Sequence, residues 1–189
     1  MANEIDNPYA APLTDITEAV ADDVDSTGDV LARRFTRFAG AFIDGILICA
    51  IIMPIQFATG MFERAARQEV GPVEQIGMAL VGMAVFLILF GYLLVTRGQT
   101  IGKRLLNIQI VDFQTGKLLP IWRAYFLRYA WNFPLAVICA FIPGSLDESL
   151  LSLIVLIDAL LIFGSSQRCL HDLIAGSKVV MFKPNRPHL

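Results

Sequence analysis

The sequence predicts an all-α membrane protein: a small transmembrane helical bundle carrying a small cytoplasmic β element. Three observations predict it. Of 189 residues, 56% are hydrophobic and only 17% charged, with a mean hydropathy of +0.61; a water-soluble domain carries about a quarter charged residues. The apolar residues gather in long runs, which a compact soluble core does not need. Basic residues, in turn, cluster at alternate ends of those runs.

Helices are expected at about 38–58, 76–96, 128–142 and 149–163. The first has a single charge, Asp44, and a proline, Pro54. The second is uncharged from 76 to 95, and at about 1.5 Å per residue covers about 30 Å, the hydrocarbon thickness of a bilayer. The other two are shorter. Their apolar stretches run over 131–142, with Pro134, and 150–163, with Asp158. A stretch of the latter length reaches only about 21 Å, so these two segments tilt, thin the bilayer, or form a re-entrant hairpin through Pro143 and Gly144.

Orientation follows from the bases. Arg33, Arg34 and Arg37 precede the first helix. Arg97, Lys103, Arg104, Lys117, Arg123 and Arg128 lie between the second and third, and Arg168, Lys178, Lys183 and Arg186 follow the fourth. Only Arg64 and Arg67 lie in the opposite loops. Thirteen bases against two predict a multi-pass protein with both termini and the long central loop in the cytoplasm.

Residues 1–30 hold eight acids and no base, so 31–189 carry nine acids against fifteen bases, a charge of +6. The acidic stretch lacks a helical stripe and is expected to be a disordered cytoplasmic tail, with 31–189 forming the membrane domain. No cleavable signal peptide is expected from so acidic a beginning. Within the central loop, 105–113 is rich in Ile, Val and Leu and suggests a strand, followed by a turn at Gln114-Thr115-Gly116-Lys117; 177–183 suggests a second strand. A helix beginning at Pro120 carries Trp122, Arg123, Tyr125 and Arg128, residues suited to the headgroup layer.

The chemistry points to intramembrane charge. Asp44 lies a few residues inside the cytoplasmic boundary, where an ionised group needs a partner or a route to water. Arg37, two turns earlier, points away from it because side chains lean toward the helix N-terminus, so another helix or water must bridge them. Asp158 is the second buried acid, also in the cytoplasmic half of the membrane, and Arg128 enters from that side. Arg37, Asp44, Arg128 and Asp158 are expected to share one layer, either as an ion or ligand site or as a structural ion-pair lock.

Other chemistries fare poorly. Gly98-Gln99-Thr100-Ile101-Gly102-Lys103-Arg104 has three residues between its glycines where a phosphate-binding loop needs four, and Arg104 stands where Ser or Thr belongs. It reads as a helix-terminating turn with bases near headgroups. His171-Asp172 has no nucleophile placed beside it and reads as structural. Cys49, Cys139 and Cys169 have neither metal-ligand spacing nor a disulfide pattern. No enzyme activity, cofactor, metal or nucleic-acid partner is expected.

Arg37-Phe38-Ala39-Gly40-Ala41-Phe42-Ile43-Asp44, the Gly98–Leu106 string, Asp112, Gly116, Arg123, Arg128, and Gln167 to Ser177 around His171-Asp172 together resemble the RDD family of small bacterial membrane proteins, named for one Arg and two Asp. On that resemblance Arg37 and Asp44 match the family's Arg and first Asp, and Asp172, with Asp158 as rival, the second. It implies a protein of the bacterial inner membrane that transports a small ligand or exchanges a cation for protons. Four short helices without an inverted repeat are few for alternating access, so transport would require a homo-oligomer. A scaffold that binds a protein partner or anionic lipid through its basic face is the alternative.

Overall fold

The computed structural model describes residues 24–25, 27–67, 69–141, 146–164 and 168–187, with backbone alone at 146–149. Two long helices dominate. Helix α1 is Arg34–Ala58, with Pro54 inside it. After Gly60, at φ +66°, comes the short α2, Met61–Ala66, which stacks Phe62 on Phe57 at 4.8 Å. Helix α3 is Pro72–Arg97. Pro72 occupies its first turn, where a missing N–H costs nothing, and Glu74 takes the Gly71 N–H at 3.3 Å and Arg64 at 2.5 Å.

Both long helices have the length and apolarity to cross a membrane. Only 11% of the apolar window of α1 and 17% of that of α3 is buried within the protein, whereas the core helix of a soluble domain is mostly covered. Phe35, Phe38, Phe42 and Ile46 on α1 and Leu80, Ile88 and Tyr92 on α3 lie exposed, as faces solvated by lipid require.

Gly98 stops α3 in the left-handed region at φ +62°. A Cβ there would run into the Ile110 carbonyl oxygen, so glycine is required twice over. Its own carbonyl accepts the Ile110 N–H at 2.7 Å, tying the helix end to the strand that follows. Between them lies α4, Ile101–Leu105, so the strand expected over 105–113 is β1, Ile108–Asp112. It pairs antiparallel with β2, Ser177–Met181, with Ile108 opposite Met181 and Asp112 opposite Ser177. The Asp112 carboxylate accepts from the N–H groups of Gln114 and Thr115, closing the expected turn.

The core sits where this β element meets the end of α3. Phe86, Phe90 and Leu94 pack on Ile108, Ile110, Leu119, Tyr125 and Val179, with the Phe86 ring 4.9 Å from that of Phe90 and 4.4 Å from that of Tyr129. A π-helical turn, Arg123–Leu127, drives Tyr125 inward to donate its hydroxyl to the Met83 carbonyl at 2.8 Å, while Trp122 and Phe126 stay exposed.

Three expectations need correction. The third helix, expected over 128–142, is α5, Phe133–Cys139. Pro134 cannot sit inside a longer helix without losing a hydrogen bond and clashing with the preceding turn, so α5 starts beside it and 128–132 are turn. At about 10 Å it does not cross a bilayer alone. The fourth is α6, Leu146–Leu160, ending in a 3₁₀ turn at Leu161–Phe163. Second, the acidic tail is ordered at its end: Val24 bridges to Val30, and Leu31 bridges to Val180 on the free edge of β2. Asp25 bonds Lys178, and Asp29 bonds Lys183 and Arg186. The cause is charge: the β element presents three cations to the chain as it arrives. Residues 1–23 of the expected tail lie outside the described residues. Third, Lys103 faces inward rather than toward headgroups, as its partners below explain.

Candidate functional site: a buried charge network

Asp44 is buried on α1 and points at the start of α4. Its Oδ1 accepts the Gly102 N–H at 2.8 Å and its Oδ2 the Thr100 hydroxyl at 2.5 Å; Lys103 Nζ lies 3.7 Å from Oδ2. A carboxylate is well placed at the N-terminus of a helix, where N–H groups lack partners. The approach is close enough that a Cβ on Gly102 would meet the Gly40 carbonyl oxygen, with Asp44 Oδ1 at 3.1 Å. Gly102 therefore lets α4 lie against α1.

Asp172 is fully buried, in the first turn of α7, Leu170–Ala175. It takes both Arg37, from α1, and Arg128, from the end of the π-helical turn, in ion pairs. Ser177 Oγ donates to it at 3.0 Å and the Cys169 N–H at 3.4 Å. Arg168 spans the same turn from outside, reaching the Asp172 and Ser177 carbonyls at 3.0 and 3.1 Å. Two arginines, 8% and 3% exposed, thus converge on one carboxylate. Such an arrangement is tolerable in low dielectric only with near-complete hydrogen bonding and neighbouring countercharge.

Asp158, on α6, is also buried. His171 meets it twice, its backbone N–H at 2.9 Å and its Nδ1 at 2.7 Å. The other ring nitrogen lies 3.9 Å from Asp172 Oδ1, so His171 links the two acids. Burial lowers the His171 pKa to about 4, aided by nearby Arg128 and Lys103 and opposed by Asp158. The imidazole is neutral at pH 7. The Tyr129 ring connects the remaining pair, with Arg128 and Lys103 each 5.8 Å from its centroid, within cation–π range.

All five residues singled out by sequence, Arg37, Asp44, Arg128, Asp158 and Asp172, therefore lie along one chain of contacts from Asp158 through His171, Asp172, Arg128, Tyr129 and Lys103 to Asp44. Arg37 joins at Asp172. Sequence reasoning missed Thr100 and Lys103, dismissed with the failed phosphate-loop motif, and Ser177, read only as a strand residue. It also missed α4 and α7, each too short to leave a periodic signal. The Gly98/Gly102 spacing held the usable clue, since two glycines beside a span imply close backbone approach.

Nearby, Arg123 joins Asp112 at 2.9 Å and the Ala175 carbonyl at 2.8 Å, pinning the π-helical turn to the β element. Cys169, His171 and Asp172 bring their donor atoms within 4.8 Å of one another, a set with the composition of a metal site. The fit is poor, because a cation there would have to displace Arg37 or Arg128 from Asp172. The Cys169 thiol is also held protonated: burial raises its pKa, against the pull of Arg37.

No curated protein and no solved structure matches the chain. The model of the RDD family matches residues 31–176, a stretch that contains both long apolar helices, the network acids Asp44, Asp158 and Asp172, and both of the arginines paired with Asp172. On that match, this membrane protein belongs to the RDD family.

Proposed function

We propose that this protein exchanges a cation for a proton across the bacterial inner membrane, with Asp158 as the site where either enters the charge network. One observation carries the reading. Asp44 faces Lys103, and Asp172 faces Arg37 and Arg128, so an incoming cation must expel a permanent charge from either. Asp158 faces His171, whose charge is optional. It is the acid, among the three, that can take a cation or a proton without stranding an arginine or lysine.

The remaining charges support the same reading. Three acids balance three permanent cations when Asp158 is ionised, so that carboxylate has room for one added charge, a proton or a cation, and each displaces the other. Both termini face the cytoplasm in this reading, on the strength of the basic-residue asymmetry. Two full-length spans are few for a translocation route, so the working unit is a homo-oligomer that builds the route between copies. The test is flux. Purified protein in liposomes with an entrapped pH dye should move protons when sodium, potassium or lithium is added outside. A protein that moves no protons with any of the three ions refutes the proposal and leaves the scaffold alternative.

A further inference from the structure

A cleft of about 320 Å³ opens beside the end of α3, apart from the charge network. Thr96, Arg97, Gln109, Lys183, Asn185 and Arg186 contribute its polar wall, and among the described residues no Asp or Glu lines it. The volume is at the lower end of the range for small-molecule sites, about 300–1,000 Å³.

Two buried donors in this wall lack an acceptor among the described residues. Gln109 is fully buried, and its Oε1 accepts the Lys183 N–H at 2.8 Å. That bond fixes the amide orientation and leaves Nε2 with no partner. Arg186 gives Nη1 and Nη2 to Asp29, each at 2.7 Å, yet its buried Nε also has no partner. Unsatisfied buried donors are rare and call for an explanation. Here both belong to side chains that line one cleft, and both call for an acceptor.

The charge agrees. Asp29 offsets one of Lys183 and Arg186, and Arg97 is exposed and makes no ion pair among the described residues. The wall therefore carries an excess of positive charge. Its depth agrees too. Thr96 and Arg97 are the first polar residues after the uncharged run of α3, and Tyr92, one turn back, is 78% exposed, as aromatic residues at the headgroup level are.

We infer that this cleft binds a phosphate group, borne by the headgroup of an anionic phospholipid or by a free phosphate monoester. Guanidinium, ammonium and amide donors suit phosphate oxygens, and a wall of cations and amides among the described residues disfavours a cation. The site is independent of the ion exchange proposed above.

The experiment is native mass spectrometry of the purified full chain with phosphatidylglycerol, phosphatidylcholine or glycerol 3-phosphate added. The variants are Arg97→Gln and Lys183→Gln, with Arg104→Gln as the control, since Arg104 is an exposed cation outside the cleft. Phosphatidylglycerol bound in preference to phosphatidylcholine assigns the lipid, and glycerol 3-phosphate bound alone assigns the free ester. Each cleft variant should weaken binding about fivefold, the worth of one cation near a membrane surface, while Arg104→Gln leaves it unchanged. Failure of both phosphate ligands to bind overturns the inference. So do cleft variants that bind like the parent, or an equal loss in Arg104→Gln, which would mark diffuse attraction.

Discussion

Replacing Asp172 by Asn is expected to destabilise this protein more than any other single change in the charge network. The residue is fully buried and neutralises Arg37 and Arg128, themselves 8% and 3% exposed. Asparagine keeps the shape and one acceptor but removes the charge that both guanidiniums contact. Breaking a buried ion pair from one side costs about 3–5 kcal/mol, mostly because the partner is left uncompensated. Against a total stability of about 5–15 kcal/mol, that is a large share. For a chain of this length, it corresponds to a melting temperature lower by roughly 6–20 °C. The geometry also fixes a sign. Arg37→Met alone leaves Asp172 paired with Arg128 and costs about 1.5–3 kcal/mol, the worth of a charge-assisted hydrogen bond. Added to Asp172→Asn, it removes one of two stranded cations, so the double variant should melt above the single one. Thermal unfolding in detergent, followed by circular dichroism, reads all four proteins. Asp172→Asn melting within about 2 °C of the parent, a shift below 1 kcal/mol, refutes the reasoning, as does a double variant less stable than the single.

Other expectations follow from neighbouring geometry. Gly102→Ala should separate α4 from α1, because its Cβ meets the Gly40 carbonyl; overpacking of this kind costs about 1–3 kcal/mol and is read as a lowered melting temperature. His171 has a folded pKa of about 4, below the unfolded value of about 6.5, so the unfolded chain takes up a proton that the folded one refuses. Stability should therefore be complete above about pH 6.5 and fall by up to about 3 kcal/mol as pH drops to 4, and His171→Gln should flatten melting temperature across that window. Asp29 titrates elsewhere. Burial pushes its carboxyl up, but bonds from Arg186 and Lys183 outweigh this and hold it well below the usual carboxylate range, so its contribution is lost only at lower pH. Orientation is checked by cysteine labelling of intact cells: a Cys at Glu69 should react with an impermeant reagent and one at Gln114 should not.

How much of this was legible in the sequence depends on what each feature leaves behind. The two long apolar helices were plain, because lipid demands a continuous apolar run and 76–95 supplies one without a charge. The strands at 108–112 and 177–181 were visible through their β-branched residues. The five charged positions stood out because ionised groups in apolar helices are costly. Their partners did not, since pairing is a property of three dimensions: Arg37 and Asp172 lie 135 residues apart. Nothing along the chain distinguishes Lys103, aimed at Asp44, from Arg104, aimed at solvent. The short helices α4 and α7 and the π-helical turn are shaped by what they cap and pack against, and leave almost no periodicity. The ordered end of the acidic tail was misread for a related reason. Composition reports its charge, but not that Lys178, Lys183 and Arg186 wait where Asp25 and Asp29 arrive.

The central claim, that Asp158 admits the transported ion, is tested most directly by measuring cation-driven proton flux in liposomes for Asp158→Asn beside the parent, with melting temperatures taken from the same preparations. Asparagine at this position keeps an acceptor for the His171 N–H and strands no permanent cation, so the variant should stay folded, melting within about 4 °C of the parent, about 1–2 kcal/mol. The account predicts that this folded variant has lost its flux. A folded Asp158→Asn protein that exchanges cations for protons as fast as the parent would contradict it.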